Sequence, residues 1–266
     1  ASADEIVNDD KINTVFITTR HNLHAESVLR AVENKKHVFV EKPLAMNEVE
    51  LNEIKSSFEK SGSKQLMVGF NRRFAPSVQE LKKLFSKEQR KSILIRVNSG
   101  VMPADHWVND PEIGGGRIIG EGCHFIDLAM FLADSPIVSV SADTMNDAND
   151  LNNTVSINLK MENGSIASIN YFSNGNKSVQ KEYIEVFSGG TIAQIDDFKT
   201  LKVFGKKTKK YTYKGQDKGH AAGVQAFLKS INDGEPCPIP FLESYLSTLA
   251  TFKVNQSIVE NRKILI

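Results

Sequence analysis

Short β-branched apolar runs alternate with stretches of helical period along the first seventy residues. Residues 11–19 (KINTVFITT) end in such a run between polar flanks, which predicts a buried strand. Residues 25–33 then carry Ala25, Val28, Leu29 and Val32 at helical spacing. A second buried strand follows in HVFVEKP and stops at Pro43, because proline lacks the N–H that a ladder needs. Asn47 opens a helix through residue 60, with Glu48 and Glu50 in the first turn, where the helix dipole favours negative charge. Residues 65–70 (QLMVGF) read as a third strand. Strands and helices alternating at this spacing predict right-handed βαβ units, so residues 1–70 read as part of a doubly wound parallel α/β domain.

From Asn71 the texture changes. A helix is expected over residues 76–87, a strand over 93–98, a glycine-rich turn, and a helix over 123–132. Alternating strands follow at 155–159, 165–171, 183–187, 191–196 and 201–204, separated by turn pairs such as Asn163-Gly164 and Gly189-Gly190. Helices over 221–231 and 243–260 close the chain, kept apart by Pro236, Pro238 and Pro240. The expected architecture is α/β plus α+β: a partial Rossmann (doubly wound parallel) domain, then a mainly antiparallel open-sheet α+β domain over residues 71–266.

Composition narrows the function classes. With 33 basic and 32 acidic residues the formal net charge is +1, so the overall field favours neither nucleic acid nor an anionic membrane as partner. The basic run at residues 206–210 (KKTKK), beside Tyr211 and Tyr213, reads as a solvated hairpin tip. Cys123 and Cys237 lack zinc or disulfide spacing, and His21 and His24 lack a second ligand pair, so no metal is expected. The polar, acidic N-terminus and the absence of a long apolar run predict a cytoplasmic protein that does not span a membrane. A small neutral substrate fits this balance.

Two positions carry candidate chemistry. Lys42 stands at the C-terminal end of a parallel strand, the edge where open α/β sheets bind ligands. There it could hold a substrate hydroxyl and help move its proton, or simply be a solvated strand-end lysine. His124, in GGGRIIGEGCHFIDL, sits at the start of an apolar helix eight residues beyond Gly116. It could serve as general base or as a packed core histidine. The glycines 114–116 would let the backbone approach a ligand closely, but Gly114, Gly116 and Gly120 lack the dinucleotide-fingerprint spacing.

Four landmarks in order, TTRHNLHA, EKP, GFNRRF and the triple glycine with its histidine, resemble the glucose-fructose oxidoreductase / inositol dehydrogenase / MocA family along essentially the whole chain. The resemblance implies an NAD- or NADP-dependent oxidoreductase acting on a hydroxyl carbon of a sugar, nucleotide sugar or polyol. The catalytic residues would be Lys42 and His124. Thr18, Thr19, Asn22, His24, Glu41 and Lys42 would line the cofactor. Asn71, Arg73, Trp107, Asn109 and Glu121 would lie on the substrate side. Where many members carry an aspartate four residues before the histidine, this sequence has Gly120, with Glu121 one place later. The wording DPEIGGGRIIGEGCHFIDL, QDKGH and PIPF is similar to modules of bacterial polysaccharide-biosynthesis proteins, and it makes His220 a weaker cleft candidate. The family implies a homo-oligomer paired through the antiparallel sheet. No glycine loop precedes Lys11, so the chain is expected to be an N-terminally truncated piece, inactive alone. A non-catalytic scaffold or dimerisation module is the alternative.

Overall fold

The computed structural model describes residues 2–62, 64–146 and 151–266. A short helix α1 (Ala3–Asn8) leads into β1 (Thr14–Ile17), α2 (His24–Glu33), β2 (His37–Val40), α3 (Glu48–Lys60) and β3 (Leu66–Val68). The three strands pair in parallel in the order β1-β2-β3, as the βαβ pattern predicts. Asn47 caps α3 by accepting from the Glu50 N–H, which satisfies one of the unpaired donors of the first turn. Ala25, Val28, Ala31 and Val32 of α2 and Leu51 and Ile54 of α3 form the helical half of one core. Each large apolar side chain so buried contributes roughly 1.5–3 kcal/mol.

The second part begins with α4 (Pro76–Lys82) and β4 (Ser92–Asn98), continues with α5 (Cys123–Ala133), β5 (Ile137–Thr144), β6 (Val155–Met161), β7 (Ile166–Phe172), β8 (Glu182–Ser188), β9 (Thr191–Asp196), β10 (Thr200–Phe204) and β11 (Lys209–Thr212), and ends with α6 (His220–Asp233), α7 (Phe241–Glu260) and β12 (Ile264–Leu265). Nine strands form one sheet in the order β11-β10-β9-β8-β4-β7-β6-β5-β12. Its pairings are antiparallel except that β4 runs parallel to β7, because β4 inserts between β7 and β8 instead of joining a meander. The sequence reading omitted β5, β11 and β12, and it drew α4 five residues too long: the chain turns after Lys82. α5 is buried around nearly its whole circumference, in keeping with its almost wholly apolar sequence.

The last two helices tie the halves together. Phe227 of α6 and Phe252 of α7 join the core of the three-stranded sheet, whereas Ala250 and Val254 of α7 join that of the nine-stranded sheet. Some of the hydroxyls buried on this helix bond back to its own carbonyls. Thr248 and Thr251 do so, donating to the carbonyls of Ser244 and Ser247.

Candidate active site

Lys42 and Pro43 follow β2 through a cis peptide. The Lys42 Nζ donates to the carbonyl of Gly120 at 2.9 Å, reaching from the parallel sheet to the turn that precedes α5. That turn, Ile118–Gly122, is a single π-helical turn, a local widening that helices often carry at functional sites.

One turn further, His124 is buried, with its ring edge-on to Phe70 at 6.1 Å. Burial holds its pKa well below the usual histidine range, and the charges of Arg72, Lys42, His220 and Lys218 push the same way. Its Nδ1 is buried without a hydrogen-bond partner among the described residues. A neutral imidazole therefore lies among cations. Glu182 holds two of them: Arg72 Nε and Nη2 donate to it at 2.8 Å each, and Lys218 Nζ at 2.6 Å. The Arg72 guanidinium also stacks 4.7 Å over Phe125.

On the expected cofactor side, Thr18, Thr19 and Asn22 are exposed in the loop after β1. His24 behaves differently from the expectation that it lines the cofactor. It is fully buried, its Nδ1 facing the Pro43 carbonyl at 2.7 Å and its Nε2 the Thr19 carbonyl at 3.0 Å. It fastens the loop after β1 to the loop after β2 and presents no free nitrogen. The Glu41 carboxylate lies over Gly69, where a Cβ would meet its Oε1 at 2.9 Å. Glu41, Asn71 and His220 line a narrow cavity of about 40 Å³. Asn71 donates to the Lys218 carbonyl at 2.7 Å, while its Oδ1 is buried with no partner. An orphaned acceptor beside a cavity is suited to a ligand N–H or O–H.

Three expected substrate residues are engaged elsewhere. Arg73 is 3% exposed and binds both oxygens of the buried Asp127, Nε at 2.8 Å and Nη2 at 2.6 Å, while Nη1 reaches Glu243. Neighbouring residues of one 3₁₀ turn face different ways, so Arg72, which the sequence reading passed over and which binds Glu182, is the arginine whose charge acts on His124. Asn109 donates to the Pro103 carbonyl at 2.9 Å and accepts from Asn153 at 3.2 Å. Glu121 pairs with Lys181, accepts from the Tyr171 hydroxyl and meets Arg117 at 3.4 Å. Burial alone would raise its pKa, but Lys181, the Tyr171 hydroxyl and Arg117 together hold it down to about 2.

Trp107 is half-buried, edge-on to His21 at 4.9 Å, with the Arg20 guanidinium 5.7 Å from its ring. The first glycine of the triple serves packing, not a ligand: a Cβ on Gly114 would lie 2.4 Å from the Val108 Cα. Among the described residues no cluster of His, Cys, Asp or Glu could hold a metal ion, and no helix is long and apolar enough to cross a membrane.

Comparison with known proteins agrees with this layout. Residues 1–70 match the family model described as "Oxidoreductase family, NAD-binding Rossmann fold", and residues 91–193 match the "GFO/IDH/MocA C-terminal domain". Myo-inositol 2-dehydrogenase of Thermotoga maritima is 25% identical over 98% of this chain and 81% of its own length. The scyllo-inositol 2-dehydrogenase (NAD(+)) of Bacillus subtilis is 33% identical over 52% of this chain and 40% of its own. Among solved structures, levoglucosan dehydrogenase in complex with NADH and levoglucosan superposes with a TM-score of 0.87 at 20% identity, covering 99% of this chain and 82% of that one. An oxidoreductase domain protein from Kribbella flavida gives 0.88 at 17% identity, covering 100% and 83%.

Proposed function

Because this chain belongs to the GFO/IDH/MocA family of NAD-binding oxidoreductases, we propose that it forms the catalytic part of a dehydrogenase that moves a hydride between the nicotinamide and a hydroxyl-bearing carbon of a sugar, nucleotide sugar or polyol. The observation that carries this reading is that Lys42, at the end of β2, bonds the Gly120 carbonyl in the turn leading into α5, near enough to His124 for its charge to lower the pKa of the ring.

The residues present fit a nicotinamide. Thr18, Thr19 and Asn22 are exposed at the C-terminal end of β1, Glu41 stands at the end of β2, and the orphaned Asn71 Oδ1 can accept an amide N–H. NAD or NADP, when bound, supplies the hydride acceptor. The chain's own residues handle the proton that must leave as the alcohol becomes a carbonyl. Lys42 Nζ donates to the substrate oxygen, and the His124 imidazole, kept neutral by burial, accepts the hydroxyl proton. Arg72 and Lys218 bias the ring against holding a proton, which favours its return to solvent. Trp107 offers an aromatic face for a sugar ring.

Residues 1–70 serve the cofactor and residues 71–266 the substrate and assembly. The outer face of the nine-stranded sheet carries an open concavity of about 440 Å³ with Leu94, Ile166 and Phe187 on its walls, and Ile166 is 50% exposed. An apolar patch of this kind supports homo-oligomer formation through the sheet. Polysaccharide biosynthesis is the setting we propose, on the strength of the wording DPEIGGGRIIGEGCHFIDL, QDKGH and PIPF.

The test is NADH binding by calorimetry, and NAD⁺ reduction against a panel of polyols, nucleotide sugars and aldoses, using the native polypeptide. Lys42→Ala is expected to lower kcat by roughly 10²–10⁴-fold with NADH still bound. If the native polypeptide binds no dinucleotide, the scaffold reading replaces this one.

A further inference from the structure

His21 is a buried histidine that the mechanism above does not use. It stands in the turn after β1, and its Nδ1 donates to the carbonyl of Gly114 at 2.9 Å. Beside it the Asn22 N–H donates to the Ile113 carbonyl at 3.3 Å, so two adjacent residues fasten the first-sheet loop to the glycine loop. A Cβ on Gly120 would lie 2.8 Å from His21 Cε1, with Val108 Cγ1 at 3.5 Å. The imidazole thus occupies the volume that any side chain at position 120 would need. The carbonyl of the same Gly120 receives Lys42 Nζ.

We propose that His21 is a positioning residue for Lys42: seated where Gly120 has no side chain and tied to Gly114, its imidazole holds the peptide whose carbonyl aims the ammonium. This inference rests on the reading of Lys42 as the catalytic lysine. It explains why residue 120 is glycine in a turn whose φ does not demand one, since only a missing Cβ admits the ring.

The charged and titratable groups facing His21 are Lys42 and His24, while Arg20 and His106 pack against the Trp107 ring that His21 meets edge-on. The glycine loop meets it with backbone only. Burial lowers its pKa to about 4, the Gly114 bond opposes this, and Lys42 and His24 reinforce it. At neutral pH the ring therefore carries its proton on Nδ1 and adds no second cation beside the ammonium. A carboxylate in the same space would form an ion pair with Lys42; the imidazole holds it through shape and leaves the ammonium bonded to a single carbonyl.

The experiment reads Lys42 directly, by NMR of protein labelled with ¹³C-lysine, and needs no substrate. In the unaltered chain the Lys42 Cε is expected to be ordered. In His21→Ala its order parameter is expected to fall below about 0.6, the range of flexible groups, with distant lysines unchanged. Gly120→Ala is expected to lower it too, because the new methyl strikes the ring. In the double variant that methyl enters the vacated space, so order is expected to return above the level of either single change. The His21 resonance, titrating near pH 4, is expected to move to higher pH in Lys42→Met, where the neighbouring cation is gone.

Should His21→Ala fail to fold, His21→Val, smaller than the imidazole and without a donor for Gly114, carries the same comparison. Unchanged Lys42 order in the His21 variants, or effects of the two changes that merely add, overturns the proposal, and so does a His21 midpoint indifferent to Lys42→Met. The functional reading fails on a different result, full turnover by Lys42→Ala, so the two failures are separable.

Discussion

Replacing Arg73 by methionine separates a structural arginine from a substrate-binding one. Asp127 is 1% exposed, accepts from Arg73 Nε and Nη2 and from the Ser247 hydroxyl at 3.1 Å, and has its pKa pushed up by burial against the pull of Arg73. Methionine keeps the aliphatic stem but leaves that carboxylate without its cation. The largest penalty is set by the alternative open to Asp127, which is to fold protonated. From an ordinary carboxyl pKa of about 3.9, protonation at pH 7 costs about 4 kcal/mol, comparable to the roughly 3–5 kcal/mol typical of a broken buried pair.

The ceiling moves with pH. A carboxyl whose folded pKa is raised above its unfolded value disfavours the fold increasingly as pH rises above the unfolded pKa, so the variant's deficit shrinks on acidification. It is expected to fall by about 2.7 kcal/mol between pH 7 and pH 5, at about 1.36 kcal/mol per unit. Glu243, at 41% side-chain exposure, stays solvated and adds little. Urea unfolding of both proteins at the two pH values measures this. At a slope near 3 kcal/mol per molar, the pH 7 midpoint is expected to drop by roughly 1 M or more. A deficit that does not depend on pH, or unchanged stability accompanied by a raised KM, would refute the argument and return Arg73 to the substrate.

Two further outcomes are expected. His124 and His21 have depressed folded pKa values, about 4 for His21, so their share of stability is present above the unfolded value near 6.5 and is lost as pH falls; urea midpoints between pH 6.5 and 4.5 should decline with proton uptake of up to about two on unfolding. Gly69→Ala places a methyl 2.9 Å from the Glu41 Oε1 and displaces that carboxylate; NADH affinity measured by calorimetry is expected to weaken while the thermal midpoint stays within a few degrees, and unaltered affinity would remove Glu41 from the cofactor contacts.

Much of the fold could be read from local pattern. The strands of the parallel sheet and the helices between them announce themselves by β-branched runs, helical period and an Asn cap, all of which act within a turn or a strand. The same holds for the proline stop that leaves Lys42 at a strand end. The order of landmarks along the chain was enough to identify the family, because each landmark keeps its place in the sequence whatever it packs against.

The partner of each polar side chain was a different matter. Arg72 and Arg73 are adjacent and chemically identical, and only folding decides that one meets Glu182, 110 positions away, and the other Asp127, 54 away. The fit of His21 against Gly120 joins loops 99 positions apart, and no spacing rule spans such a gap. The weak amphipathic pattern of α7 likewise conceals a helix covered on two sides by two cores. Period and capping are set by neighbours along the chain, so the sequence carries them openly. Ion pairing, burial and the filling of a missing side chain's volume depend on which surfaces meet, and tertiary packing alone decides that.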